Sequence, residues 1–252
     1  MAIQGDKVGL YLANRDIAIP QCNIIVTQPT VQEVLTFGEE KFLNCVQLLG
    51  HLDKVLQPIQ EELSSANMPE VPPLALLLVA YREEKPIQEQ VDEFFELICF
   101  NYDVKITSNS IDFEQENKKV GMLTPFNYNF FAETLLDLFE PAALKNENYN
   151  PKSNKAKEIA EKLQRGKERK AQLQGKSDVT QSIFGIYASI LSIGMQMDIN
   201  IFMQYTPFQI FDAFERFTLK EAEDYYKLLS SSGFLDTSKI DQPEPWLKNL
   251  YE

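Results

Sequence analysis

Side chains suited to nucleophilic or metal chemistry are scarce in this sequence: one histidine, His51, and three cysteines, Cys22, Cys45 and Cys99. A single imidazole cannot supply the two-histidine zinc motif of helical proteases within one chain. A Cys–His dyad would need His51 beside a cysteine, yet Cys45 sits six residues before it in a leucine-rich helical face, and His51 itself reads as a polar helix-end residue after Gly50. Gly175-Lys176-Ser177 resembles the end of a phosphate-binding loop, but Lys170 stands where that loop needs its first glycine, and no buried strand precedes it. No serine lies in a Gly-x-Ser-x-Gly elbow, and Ser230, Ser231 and Ser232 before Gly233 read as a helix ending in a turn. Carboxylate pairs such as Asp92 with Glu96 or Glu221 with Asp224 fall at helical spacing, as pairs on a solvated face do. An enzyme working with carboxylates alone stays open as an alternative, because sequence does not show two acids facing each other across a cleft. The residue types therefore predict no catalytic constellation, no metal site and no cofactor.

The elements that would have to position any site come next. At 252 residues and 44% apolar content, the chain is long enough to bury a substantial core. A net charge of −13 argues against a nucleic-acid surface spread over the whole body. No apolar run reaches the roughly 18 residues of a membrane span, and the first residues lack the layout of a signal peptide. Three widely spaced cysteines fit free thiols in a reducing compartment. The expectation is a soluble protein made where it works, binding neither nucleic acid nor membrane.

The fold class predicted is α+β, mainly α, in three stretches. Residues 1–144 form an N-terminal α+β domain, 145–178 a basic linker helix and 179–252 a C-terminal helical unit. The first thirty residues read as a small antiparallel β element, with Val8, Leu10 and Leu12, then Ile17 and Ile19, then Ile24 and Val26. Thr30 with Glu33 is a capping box opening a helix that runs to Gly50. Leu52, Val55, Leu56, Ile59 and Leu63 mark a second helical piece. The apolar run Leu74–Ala80 reads as a buried helix, and another follows Pro86 to Ile98. Val104 to Leu123 is β-prone, and an aromatic run beginning at Phe126 leads into a helix ending near Pro141. In the C-terminal unit, Ile183, Ile186, Tyr187, Ile190, Leu191 and Ile193 predict one amphipathic helix. Thr206, Pro207 and Gln209 open another, with Phe208, Phe211, Phe214 and Phe217 on one face and a further helix capped by Thr218 and Glu221.

Charge is strongly polarised along the chain. Between Lys152 and Lys176 nine basic residues stand against three acidic ones, a local +6 that leaves −19 on the rest. This strip reads either as a solvated hinge or as a docking strip for an acidic partner or for acidic patches on the chain itself. Its candidate contact residues are Lys162, Arg165, Lys167, Arg169 and Lys170. The sole tryptophan, Trp246, lies in a terminal segment that must dock on its own domain or on a partner.

The order of segments carries a family resemblance. A β element precedes Gln28-Pro29-Thr30 and a helix with Gly38-Glu39-Glu40-Lys41-Phe42. After a variable α/β middle come Asn150-Pro151-Lys152, Ala160-Glu161-Lys162-Leu163-Gln164-Arg165-Gly166-Lys167, Ser182-Ile183-Phe184-Gly185 and Ser189-Ile190-Leu191-Ser192-Ile193-Gly194. Phe208-Gln209-Ile210-Phe211-Asp212-Ala213-Phe214-Glu215-Arg216-Phe217 and Trp246-Leu247-Lys248-Asn249-Leu250 close it. This resembles the tail-assembly-chaperone-like proteins of long-tailed bacteriophages and prophages. The resemblance implies a non-catalytic factor in the cytoplasm of the bacterial host that holds the tape-measure protein soluble, recruits tail-tube protein and is absent from the finished particle. It is compatible with a homo-oligomer. The alternative is a structural virion or tail-connector protein with the Trp246 tail buried against a neighbour in a ring.

Overall fold

The computed structural model describes residues 5–55, 71–140 and 182–232, together with Pro245 and Leu247. As the pattern predicts, the fold is α+β and mainly helical. The chain starts differently from its predicted β element, because Gly5–Ala13 is a helix, α1. Val8 and Tyr11, three residues apart, are buried, whereas Leu10 is 44% exposed, so the apolar spacing is helical and not alternating. The backbone N–H and side-chain amide of Asn14 both donate to the Leu10 carbonyl and end the helix.

The hairpin that follows pairs β1 (Asp16–Ile19) with β2 (Ile24–Thr27), Ile19 opposite Ile24, and buries Ile17, Ile19, Ile24 and Val26 on one face. Gln28 leaves it fully buried, and its amide donates to the carbonyls of Tyr11 and Asn14, tying α1 to the hairpin. Thr30 and Glu33 make the capping box that opens α2 (Val31–Phe37). The single helix expected to run to Gly50 is broken at Gly38, whose φ of +103° suits only glycine, and restarts as α3 (Glu39–Gly50). A short α4 (Leu52–Val55) follows. The predicted continuation through Leu56, Ile59 and Leu63 lies outside the described residues.

Two helices joined by a sharp break, α5 (Pro73–Glu83) and α6 (Lys85–Ile98), come next. Helix α5 is buried on one face only, through Leu74, Leu77 and Leu78, and its Val79 is 57% exposed. The predicted β region is a three-stranded antiparallel meander of β3 (Asp103–Ile106), β4 (Ile111–Gln115) and β5 (Lys118–Leu123). Its second turn places Glu116 and Asn117 at positive φ, as a tight two-residue hairpin loop demands. The N-terminal half closes with α7 (Tyr128–Phe139).

Among the described residues three further helices follow, α8 (Ile183–Met195), α9 (Ile199–Met203) and α10 (Pro207–Ser232). Thr206 and Gln209 form the predicted capping box of α10. No new helix starts at Thr218, whose hydroxyl instead donates to the Phe214 carbonyl within one continuous helix. In α8 the buried residues are Phe184, Ala188 and Leu191, and Ile193 is 80% exposed, so the inward stripe is offset from the predicted one.

N- and C-terminal helices share one core. The Phe42 ring on α3 lies 5.6 Å from Phe94 on α6, 5.2 Å from Phe139 on α7 and 6.4 Å from Phe184 on α8. Aromatic rings at these separations add directional contacts to their burial. Polar contacts fix the same seam. The Glu39 carboxylate accepts from the backbone N–H groups of Ile183 and Phe184 at 2.9 and 2.8 Å, filling the positive N-terminus of α8. Val31 N–H donates to the Tyr205 carbonyl, and the Gln209 amide donates to the Leu12 carbonyl. The expected boundary near residue 150 and the linker helix lie outside the described residues.

Candidate protein-docking surface

The corner between α8 and α9 is a built turn. Gln196 adopts the left-handed conformation at φ +53°, its N–H and that of Met197 return to the Ile193 and Ser192 carbonyls, and the Ser192 hydroxyl donates to the Met197 carbonyl at 2.6 Å. This is the hydrogen-bond pattern of a Schellman ending, with glutamine where glycine is commoner. Asp198 then caps α9 by accepting from the Asn200 N–H.

Helix α8 approaches α10 so closely at Gly194 that a Cβ there would lie 2.2 Å from Cζ of Phe217. That crossing leaves the side chains around it on the outside. Ile190, Ile193, Met195, Met197 and Ile201 are all exposed, from the last turns of α8 into α9. Beside them a cleft of about 540 Å³ opens between α9 and α10, with Leu12, Met195, Phe202 and Phe217 among its apolar lining and Arg216 and Lys220 among its polar residues. Arg216 pairs with the buried Asp212 at 2.9 Å, and Lys220 pairs with Asp224 at 2.7 Å. Tyr187 of α8 stacks on Phe214 of α10 with ring centroids 4.1 Å apart. Burial, and then the charge of Glu215, raises the Tyr187 phenol above its ordinary pKa.

A surface of this composition suits binding of an apolar helix face. Methionine and isoleucine present flexible and branched apolar area without polar groups to desolvate, and methionine repacks against differently shaped partners. The groups that could do covalent chemistry are placed otherwise. His51 ends α3, with its Nε2 3.1 Å from Glu140 Oε1. Cys45 donates to the Gln90 carbonyl at 3.6 Å, and burial pushes its thiol up to about 11 despite that bond. Burial pushes Cys22 to about 11 and Cys99 higher still, and all three thiols are free, as expected. Asp92 accepts from the Tyr81 hydroxyl at 2.6 Å, whereas Glu96 faces solvent. Among the described residues there is no group of three His, Cys, Asp or Glu side chains that could hold a metal ion, and no helix long and apolar enough to cross a membrane.

The contact residues expected from sequence, Lys162, Arg165, Lys167, Arg169, Lys170 and Trp246, lie outside the described residues, as does Gly175-Lys176-Ser177. Sequence reasoning missed the apolar corner because Ile190 and Ile193 share helical spacing with the inward stripe. The signal for it was Gly194 beside Ile193: glycine on a helix marks close approach of another element, which pushes its neighbours outward. Comparison of the chain with protein-family models, curated proteins and solved structures yields no match in any of the three.

Proposed function

We propose that this chain is a non-catalytic tail-assembly chaperone of a long-tailed bacteriophage or prophage, which works in the cytoplasm of the bacterial host, binds the tape-measure protein and recruits tail-tube subunits. The observation that carries the reading is the exposed apolar corner of Ile193, Met195, Met197 and Ile201 beside the α9–α10 cleft, on an otherwise acidic chain. A long helical client with apolar stripes needs such a surface to cover it before assembly, and net negative charge keeps the complex dispersed. The segment order described above supports the same assignment.

The test is an affinity pull-down of the tagged full chain from cells expressing phage tail genes, with bound proteins identified by mass spectrometry. Recovery of the tape-measure or tube protein, lost in the double variant Ile193→Ser and Met195→Ser, is the expected result. Capture of neither where both are abundant overturns the reading. Stoichiometric presence of the chain in purified particles replaces it with a structural virion or tail-connector role.

A further inference from the structure

The chain treats the two edges of its three-stranded meander differently. Along β5 it closes the edge itself: the Met122 N–H donates to the Cys22 carbonyl at 3.1 Å, and the Asn23 side-chain amide donates to the Val120 carbonyl. Gly121 lies so near the β1–β2 turn that a Cβ there would sit 2.5 Å from the Asn23 carbonyl oxygen. At the other edge, among the described residues, β3 pairs with β4 alone.

The alternation of an antiparallel ladder identifies which groups of β3 point outward. The Thr107 N–H donates to the Ser110 carbonyl at 2.9 Å and closes the β3–β4 loop. Counted back from that bonded pair, Lys105–Asp112 and Asp103–Glu114 exchange the ladder bonds, whereas Ile106–Ile111 and Val104–Phe113 do not. The N–H and C=O groups of Val104 and Ile106 therefore face away from β4. An edge of this kind is a template for another strand, and β3 has neither a proline nor a bulge to blunt it.

The sequence of this edge is complementary to itself. With a two-fold axis at Val104, an antiparallel copy sets Val104 against Val104, Tyr102 against Ile106 and Asp103 against Lys105. The Val104 pair exchanges both of its bonds, and each Ile106 N–H meets a Tyr102 carbonyl; the Tyr102 N–H is already given to the Cys99 carbonyl. Asp103 and Lys105 are the exposed residues of β3, and in this register they fall at the non-bonded positions, where opposed side chains come closest. Lys105 holds Glu114 at 2.5 Å but its own Asp103 only at 3.7 Å, so each Asp103 has room for a second cation. An axis moved to Asp103 or to Lys105 would oppose like charges instead, which selects the register centred on Val104.

We propose that this chain forms a symmetric dimer by antiparallel pairing of β3 with β3 of a second copy, centred on Val104. The contact is isologous, each copy supplying the same strand, and its two charge pairs fix the register. It uses none of the residues of the α8–α9 corner and holds whether or not the tail-assembly reading does.

Sedimentation equilibrium of the full chain and three variants tests it, with far-UV circular dichroism confirming that each variant is folded. Paired edges of this length belong with small, transient interfaces, so a dimer of twice 29.0 kDa is expected at about 0.1 mM chain and a monomer at about 1 µM. Val104→Pro removes an outward N–H without touching the β3–β4 ladder, and is expected to weaken association at least tenfold. Asp103→Lys gives an edge with lysine at both positions and Lys105→Asp one with aspartate at both. Each alone is expected to be monomeric, and an equimolar mixture of the two is expected to dimerise. A wild-type chain that stays monomeric at about 0.1 mM, well above the dissociation range of such contacts, overturns the proposal. So does a dimer that survives Val104→Pro, which places the interface elsewhere. Single charge variants that still dimerise, or a mixture that stays monomeric, overturn the Val104-centred register.

Discussion

The two halves of α10 are one helix held in two ways. From Pro207 to Phe217 it is anchored by tertiary packing. Phe208 and Ile210 are buried, Phe211 lies 5.2 Å from Phe184 and 5.6 Å from Tyr187, and the Thr206–Gln209 box closes its N-terminus. From Thr218 to Ser231 most side chains face solvent, including Tyr225 and Leu228, and the ion pairs Lys220–Asp224 and Lys227–Glu223 are local. The first half has its helicity imposed by the core, whereas the second depends on propensity and one-turn pairs. Continuous secondary structure thus hides a change in what sustains it.

The sharpest break comes from Phe211→Ala, which removes the ring joining α8 to α10 and is expected to lower global stability by about 3–5 kcal/mol in urea unfolding. Gly194→Val forces Phe217 away from the α8–α10 crossing and is expected to cost about 1–3 kcal/mol by the same measurement. Thr206→Ala removes one cap of the anchored half, with an expected loss of about 1 kcal/mol. In the exposed half, Lys220→Ala with Lys227→Ala should leave the urea midpoint in place and reduce only the helical chemical shifts of residues 218–232. A global loss there as large as that of Thr206→Ala would show that the halves are not held differently.

Titration sharpens the same contrast. The hydrogen bond from Lys220, followed by the attraction of nearby lysines, holds the Asp224 carboxyl below its ordinary value against slight burial. Its contribution is therefore present above the unfolded pKa and lost as pH falls through the lower folded one. Lys220 and Lys227 are raised by their carboxylate partners, so their contribution is complete below the ordinary lysine range and lost only above it. Chemical shifts should accordingly show the 218–232 half fraying at the acid extreme, below the usual carboxylate range, before Pro207–Phe217 does.

Local signals in the sequence were read well where chemistry and period agreed. The Thr30–Glu33 and Thr206–Gln209 boxes, the β1–β2 hairpin and the meander all rest on residues whose own side chains or turn preferences define the element. Misreadings arose where tertiary packing decided. Val8, Leu10 and Leu12 alternate on paper, but the core takes Tyr11 together with Val8 and leaves Leu10 exposed, with Tyr11 against Phe208 at 5.4 Å. Gly38 sits inside a helical apolar pattern, and only its positive φ shows the break. The outward turn of Ile193 depends on Phe217 filling the space at Gly194, and no periodicity encodes a contact between two residues twenty-three apart on different helices. The groove lined by Glu39, Glu40, Glu89 and Glu93 was legible only as numerous glutamates, since its walls come from α3 and α6 and its lip from the start of α8.

The Glu39 bonds to Ile183 and Phe184 span 144 and 145 residues of sequence. At ribosomal speeds of about 5–20 residues per second, Glu39 and its neighbour Phe42 wait roughly 7–30 s for the helix that completes their surroundings. Throughout that interval the nascent chain carries an unfinished aromatic face, and shielding that face during translation is expected to raise the yield of folded protein. Slow codons placed just before residue 183 would lengthen the exposure, and a pause after α10 has emerged would let the seam close before release.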